Sequence, residues 1–458
     1  MPATRSPVVA FGLFLMLMAA VLHPRAGAVG VDRAVSRAFL TLLVGEEAEL
    51  ASAMELVEST WEPSYLPMAL EVMRLSRNQG VAAAFMRIME TESGGEHGYD
   101  LTGWQRAMWN APEVRHPRYA AFKSALYSLI DPRFAAYFDG AGEPLIRLDE
   151  IVWGGVRQDG IPPLRNPKML AAADADYLAE EHVVFGISVN ADTRAYPKRI
   201  LAWHEMFVDT VGGVPVAGVY CTLCGTVILY RTEHDGVNHA LGTSGFLYRS
   251  NKLMYDQATQ SLWSTMRGAP VMGPLVGTGI ALERGSVVTT TWGEWRRRHP
   301  DTRVLSLETG YERNYAEGAA YHDYFATDEL MFQVPVVDTR LKNKDEVFTV
   351  HLAEHRDRPL AISADFLAAN PVHHDAIEGT ALVVFTDPSG ANRAYASEDV
   401  TFTEYDGDRS ARDSAGRTWT MSEQSLTAEG GRTLPRIPAQ RAFWFGWYAA
   451  FPHTRLVQ

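Results

Sequence analysis

Residues 31–140 carry hydrophobic positions at helical spacing. Leu66, Leu70 and Met73 follow one another at intervals of four and three residues, which places them on one face of a helix. Short polar or glycine-containing joins imply antiparallel neighbours. The pattern predicts an all-α region over residues 29–140, with helical segments at 35–60, 65–77, 81–91 and 119–129. Short joins between helices are typical of helical-repeat scaffolds, although no clear repeat period emerges.

Beyond residue 140 the pattern changes. Glycine and proline are frequent over residues 140–163, and β-branched and aromatic runs then alternate with turn residues. This predicts a mainly β architecture with short helices and a boundary near residue 140. One short helix is predicted over residues 198–206, after Pro197, with His204 and Glu205 on the same face as Leu201.

The β part of the chain repeats itself. Thr386 and Ser389 are aligned with Cys221 and Cys224, so chemistry is expected in the first copy and support in the second. The fold class predicted is α+β, with two tandem, internally duplicated, mainly β subdomains at residues 145–310 and 311–458. The matching segments are 184–197 with 347–359, 219–225 with 384–390, 292–295 with 444–447, and 299–305 with 451–457.

The first residues read as a secretory signal peptide. Arg5 precedes an apolar run over residues 8–22, and Ala26-Gly-Ala28 is a small-residue cleavage site. The apolar run is too short for a comfortable membrane span. We therefore expect a signal peptide at residues 1–28 and an exported mature chain, periplasmic or extracellular, without a stable membrane span.

The net charge of −13 argues against nucleic acid as a partner, because phosphates demand a basic surface. The composition does not identify a protein partner. If the chain recruits one, the helical region at residues 29–140 is the candidate surface.

Only two cysteines occur, Cys221 and Cys224, in a predicted strand–turn–strand that ends in glycine. Such a turn resembles the metal-binding knuckle of rubredoxins and zinc ribbons. With His204 it predicts a site for zinc, copper or iron. The candidates for a fourth ligand are Met254, which would favour copper, His239 and Glu205; in an enzyme, Glu205 would act as a base beside the metal.

Two alternatives remain open at the level of sequence. In the first, Cys221 and Cys224 form a disulfide, structural or redox-active, as an oxidising compartment favours. A structural disulfide is less attractive, because closing so short a loop stabilises little. In the second, the cysteines are not catalytic and the protein is a binding or scaffold module.

The chain from about residue 145 to its C-terminus resembles an exported bacterial and archaeal family known as domain of unknown function 3179. The resemblance implies no established activity. The chain departs from the family pattern at Thr222, where proline is usual. The segments that carry it are Arg194-Ala-Tyr-Pro197, Trp203-His-Glu205, Asp209-Thr-Val-Gly-Gly213, Tyr220-Cys-Thr-Leu-Cys-Gly225, Ser244-Gly245, Ser250-Asn-Lys-Leu-Met-Tyr-Asp256, Ser261-Leu-Trp263, Thr291-Trp-Gly-Glu-Trp295 and His299-Pro300.

Overall fold

The computed structural model of the chain describes residues 26–139, 142–355 and 358–458. Most of the predicted signal peptide, and Gly140 at the predicted boundary, lie outside the described residues. Within the described part of the chain, no helix is both long enough and apolar enough to cross a membrane.

The described residues up to 139 form the predicted helical region. The predicted segment 35–60 is divided at Gly45, because Glu46 and Glu49 form a capping box that begins a new helix. Two helices, α5 and the one-turn helix α7, lie outside the predicted segments. The helices are α1 (Ala26–Val44), α2 (Glu47–Ser59), α3 (Leu66–Leu75), α4 (Gln79–Ser93), α5 (Leu101–Asn110), α6 (Tyr119–Ser128) and α7 (Ala135–Phe138).

Residues 151–305 are mainly β. Their sheets have the strand orders β1-β11-β12-β13-β14, β15-β8-β7-β6-β2 and β16-β4-β5-β17-β3, beside the hairpin β9-β10. The elements are β1 (Ile151–Trp153), β2 (Leu164–Arg165), β3 (Met169–Ala171), β4 (Val183–Val189), β5 (Asp192–Pro197), α8 (Lys198–His204), β6 (Met206–Val211), β7 (Val214–Cys221), β8 (Thr226–Arg231), β9 (Glu233–His234), β10 (Val237–Asn238), β11 (Leu241–Tyr248), β12 (Asn251–Asp256), β13 (Leu262–Ser264), β14 (Ala269–Met272), β15 (Arg284–Gly285), β16 (Val288–Thr291), α9 (Trp292–Arg298) and β17 (Arg303–Leu305).

The rest of the chain forms sheets of order β28-β18-β19-β29, β20-β21-β22 and β23-β24-β25-β26-β27. The elements are α10 (His322–Phe325), β18 (Glu346–Val350), β19 (Leu360–Ser363), α11 (Ala364–Ala369), β20 (Val372–Ile377), β21 (Thr380–Thr386), β22 (Asn392–Ala396), β23 (Phe402–Tyr405), β24 (Ser410–Asp413), β25 (Thr418–Met421), β26 (Ser425–Ala428), β27 (Thr433–Pro435), β28 (Ala439–Phe443), α12 (Trp444–Ala450) and β29 (Arg455–Val457).

The helical region shares one hydrophobic core with the sheet that contains β11 and β12. The ring of Phe246 lies 4.9 Å, centroid to centroid, from the rings of Tyr127 and Phe134. The buried ammonium of Lys123 donates to the carbonyl oxygen of Ile151 in β1 over 2.9 Å. The helices are therefore packed into the β part of the molecule by apolar and polar contacts together.

The duplication is visible in the sheets. The order β16-β4-β5-β17 recurs as β28-β18-β19-β29, with two antiparallel pairs and a final parallel pair in each. The indole of Trp295 donates to the hydroxyl of Thr302 over 2.9 Å, and Trp447 donates to Thr454 over 3.0 Å. These features confirm the α+β class with two duplicated β units.

Strand register moves the predicted equivalence of Cys221 by one residue. Val211 and Val214 form the last pair of β6–β7 before the connecting turn, and Ile377 and Thr380 form the equivalent pair of β20–β21. Counting from these pairs, 221 − 214 = 387 − 380 = 7, so Asp387 corresponds to Cys221 and the aligned Thr386 does not. Because side chains alternate between the faces of a strand, a shift of one residue changes which face is compared.

A second correction concerns the end of the first matching segment. Val184 pairs with Pro197, and Val347 pairs with Ser363, the residue before the next helix. Ser363 therefore corresponds to Pro197, where the sequence alignment had placed Pro359. The predicted match of Trp292 with Trp444 is confirmed, because each is the first helical residue after the corresponding strand.

Candidate functional site

Cys221 and Cys224 lie on a tight turn between β7 and β8. Cys221 pairs with Thr226 as the last pair of the hairpin, and the amide of Cys224 donates to the carbonyl of Cys221 over 3.1 Å. Gly225 has a φ of 58°, and a Cβ atom there would stand 2.8 Å from the ring of Phe443. Both the backbone and the space require glycine. The predicted strand–turn–strand is confirmed.

The two sulfur atoms are 2.7 Å apart, and Cys221 and Cys224 are buried. Burial raises the pKa of a thiol, but at Cys221 hydrogen bonds from Cys224 and from the amide of Lys252 outweigh it and lower the pKa. Burial and the bond to Cys221 raise the pKa of Cys224 well above its usual value. The two thiols are thus shifted in opposite directions, so that Cys221 is the one from which a proton is removed more readily.

A buried ion pair lies beside the cysteines. The ammonium of Lys252 is 2.9 Å from the Glu205 carboxylate and donates to the Glu205 carbonyl over 3.1 Å. The hydroxyl of Tyr321 donates to the same carboxylate over 3.2 Å. Glu205 also ends α8 with a φ of 54°, a conformation that is uncommon outside glycine. The predicted base is therefore a carboxylate held by two donors.

Residues from the second repeat complete the site. The amide of Phe443 donates to the carbonyl of Cys224 over 2.8 Å, and the amide group of Asn251 donates to the carbonyl of Gly446 over 3.1 Å. A Cβ atom at Gly446 would stand 2.8 Å from the Cβ of Cys224. The cysteine turn is therefore covered by α12, as expected if the first copy carries the cysteines and the second copy supports them.

His204 does not join the cysteines. Its Nδ1 lies 2.9 Å from the carbonyl oxygen of Pro162, and its Nε2 lies 2.5 Å from the hydroxyl of Tyr315. Burial lowers the pKa of His204, so the neutral ring donates at one nitrogen and accepts at the other. The predicted ligand set of Cys221, Cys224 and His204 is not assembled.

The other predicted ligands differ in position. The amide of His239 donates to Thr232, whose own amide donates to Pro215. Because Pro215 is six residues before Cys221 on β7, this end of the hairpin is about 20 Å from the cysteines. Met254 belongs to the same hydrophobic cluster as both cysteines. Among the described residues, no group of three or more His, Cys, Asp and Glu side chains could hold a metal ion.

A cavity of about 70 Å³ lies against Leu223 of the cysteine turn. Its polar side chains are those of Glu205, Lys252, Tyr321 and Thr243, and the rest of the lining is apolar side chains and glycine. The hydroxyl of Tyr324 donates to the carbonyl of Leu223 over 2.8 Å. Sequence reasoning missed Lys252 and both tyrosines. Lys252 lies inside a segment that carries the family resemblance, whereas nothing in the sequence marks the tyrosines.

Residues 158–454 match the model of a family described as protein of unknown function (DUF3179). The chain belongs to this family. The matched residues of the DUF3179 family include the cysteine turn, α12 and the strands from β2 to β28, and α1–α7 precede them. No curated protein and no solved structure matches the chain.

Proposed function

We propose that Cys221 and Cys224 act as a dithiol–disulfide redox pair. The observation that supports this most directly is the 2.7 Å contact between their sulfurs. Two thiolates on one tetrahedral zinc ion stand about 3.7 Å apart, given zinc–sulfur bonds of about 2.3 Å. Disulfide sulfurs stand about 2.05 Å apart. A small rotation about the side-chain bonds therefore brings the sulfurs to bonding distance, and the bond forms when two electrons pass to a substrate disulfide.

The opposite pKa directions of the two thiols suit exchange with a disulfide. The Cys221 thiolate attacks one sulfur of the substrate, whose S–S bond breaks and whose first thiolate leaves. Cys224 then attacks the sulfur of Cys221 in the mixed disulfide, and its proton ends on the second leaving thiolate. Two electrons have passed from the cysteine pair to the substrate, which is now one thiolate and one thiol.

Burial of both sulfurs selects the substrate by size. Cys221 is 2% exposed and Cys224 is 0% exposed. A disulfide on the surface of a folded protein cannot reach them without opening of the turn. A small disulfide needs less displacement of Phe443 and α12. We therefore expect low-molecular-weight disulfides to react faster than protein disulfides.

Metal binding is the second candidate, and one observation favours it. Met254 lies in the same hydrophobic cluster as the cysteines, so its thioether is a candidate for a third soft donor. Zinc, copper or iron would be held by Cys221 and Cys224, and the thioether would favour copper. The bound ion would supply Lewis-acid or electron-transfer chemistry. The two histidines proposed from the sequence do not fit this set.

Export through the predicted signal peptide is part of the proposal, because an oxidising compartment supports a disulfide. Fractionation of the producing cell, followed by mass measurement of the exported form, tests it. A mature chain that begins after Ala28 supports export, and a chain that retains residues 1–28 in the cytoplasm contradicts it.

The decisive experiment equilibrates the full mature chain in glutathione buffers of increasing potential, with thiols trapped and counted by mass and metal measured on the same samples. A redox pair loses both thiols together at one midpoint, and Cys221→Ser or Cys224→Ser abolishes the transition. Two thiols at every potential, with stoichiometric metal, would overturn the redox proposal and support the metal site.

His204→Asn is the matched control. His204 bonds to Pro162 and Tyr315 and not to a cysteine. The variant should keep the wild-type midpoint and the wild-type metal content. Loss of metal in this variant alone would return His204 to the ligand set.

A further inference from the structure

A second cavity, of about 130 Å³, lies between the two repeats on the other side of the cysteine hairpin. The first repeat contributes Lys198, Tyr220 and the threonines of β16. The second contributes Glu346, Arg441 and Phe443. Neither cysteine sulfur lines it. The volume is enough for several water molecules or one small organic molecule.

The side chain of Tyr220 lines this cavity and carries an unsatisfied hydroxyl in its wall. Tyr220 is 1% exposed, and its hydroxyl has no hydrogen-bond partner among the described residues. A buried hydroxyl without a partner is destabilising, and native structures contain few of them. Burial, with the nearby Cys221 and Glu205, raises the pKa of Tyr220 well above its usual value, so the group is a hydroxyl donor at neutral pH.

The charges of the cavity favour an anion. Arg441 is 2.6 Å from the carboxylate of Glu346 and these two charges compensate each other. The ammonium of Lys198 lies 4.7 Å from the ring centre of Phe325, and no ion pair to it occurs in the part of the chain that the structure describes. One positive charge therefore remains in a lining that also includes Tyr220.

The walls restrict the kind of anion. Phe185 and Phe443 give the cavity an apolar side, opposite the polar groups. An inorganic oxyanion would leave that side without contacts, whereas a carboxylate with a short carbon chain would use both. We propose that the inter-repeat cavity binds a small carboxylate, which accepts hydrogen bonds from Tyr220 and Lys198 while its carbon chain contacts Phe185 and Phe443.

Calorimetric titration of the full mature chain tests this, with propionate as the probe and inorganic phosphate and propionamide as comparators. We expect propionate to bind and the neutral amide to bind at least about tenfold more weakly, because charge-assisted hydrogen bonds are lost. Phosphate that binds as tightly as propionate, or propionate that gives no binding, would overturn the proposal.

Three variants locate the site. Tyr220→Phe and Lys198→Met should each weaken propionate binding about tenfold, and Lys198→Arg should retain most of the affinity because it keeps the charge. Tyr324→Phe is the control, since its hydroxyl bonds to Leu223 outside this cavity. Circular dichroism confirms folding. Equal affinity in the wild type and Lys198→Met, or in the wild type and Tyr220→Phe, would contradict the site. The result does not depend on the redox state of the cysteines.

Discussion

The amide of Phe443 donates a hydrogen bond of 2.8 Å to the carbonyl oxygen of Cys224. This bond joins the end of β28, in the second repeat, to the cysteine turn of the first repeat. The first repeat makes a related contact in return, because the hydroxyls of Thr290 and Ser389 are 3.1 Å apart. Each repeat thus closes the turn of the other. The cysteine site is a product of the duplicated pair.

Replacing Gly446 with alanine should destabilise the protein. The added Cβ would stand 2.8 Å from the Cβ of Cys224 inside a packed interface. Overpacking of this kind costs about 1–3 kcal/mol. Denaturant unfolding of reduced protein measures it. Gly30→Ala is the control, because a Cβ at this exposed position meets nothing within 4 Å and alanine favours a helix. An unchanged midpoint for Gly446→Ala would show that α12 moves freely.

Replacing Lys252 with methionine should leave the carboxylate of Glu205 buried beside the cysteines without its partner. Breaking a buried ion pair in this way costs about 3–5 kcal/mol. The free energy of unfolding reports the loss. Lys168→Met removes one member of an exposed pair with Glu308 and should change stability by less than about 1 kcal/mol. Equal effects of the two substitutions would contradict the burial of the Lys252 pair.

Acid should weaken the first repeat through Asp192. Burial would raise the pKa of Asp192, but hydrogen bonds from Arg194, the Gly212 amide and Arg303 lower it to about 2. The folded value lies below the unfolded value of about 3.9, so the contribution is present above pH 4 and is lost as the pH falls toward 2. Asp192→Asn should remove about 1–2 kcal/mol at neutral pH and flatten this part of the stability curve.

The control for this acid titration is Asp323→Asn, because the Asp323 side chain is exposed. Its stability curve should follow the wild type between pH 4 and 2. Chemical unfolding at each pH provides the measurement. A wild-type slope in the Asp192→Asn variant would exclude the role of Asp192.

The repeated tryptophan–threonine bond predicts matched effects in the two repeats. Thr302→Val and Thr454→Val each leave a buried indole N–H without its acceptor, at a cost of about 1–3 kcal/mol. Because the two bonds are in different repeats, the double variant should show the sum of the single effects. Urea unfolding of all three variants checks this. A large effect in only one repeat would mean that the bonds have different roles.

The sequence predicted the helical region, the change to β structure and the duplication well, because these follow from local periodicity. The sequence pattern did not indicate the break between helices at Gly45, and it gave no helical segment for α5 or α7. The one-residue error at Thr386 arose because loop lengths differ between the repeats. The hydrogen-bonded pairs of β20 and β21 give a fixed reference position from which the two repeats can be aligned.

Less of the candidate site than of the fold could be predicted from the sequence. That Cys221 and Cys224 share one turn follows from their spacing, because four residues between two strands permit little else. Their surroundings depend on the packing of elements that are distant in the chain. His204 bonds to Tyr315, 111 residues away, and Lys252 bonds to Glu205, 47 residues away. Such contacts depend on how distant elements pack, and a helical or strand period carries no information about them.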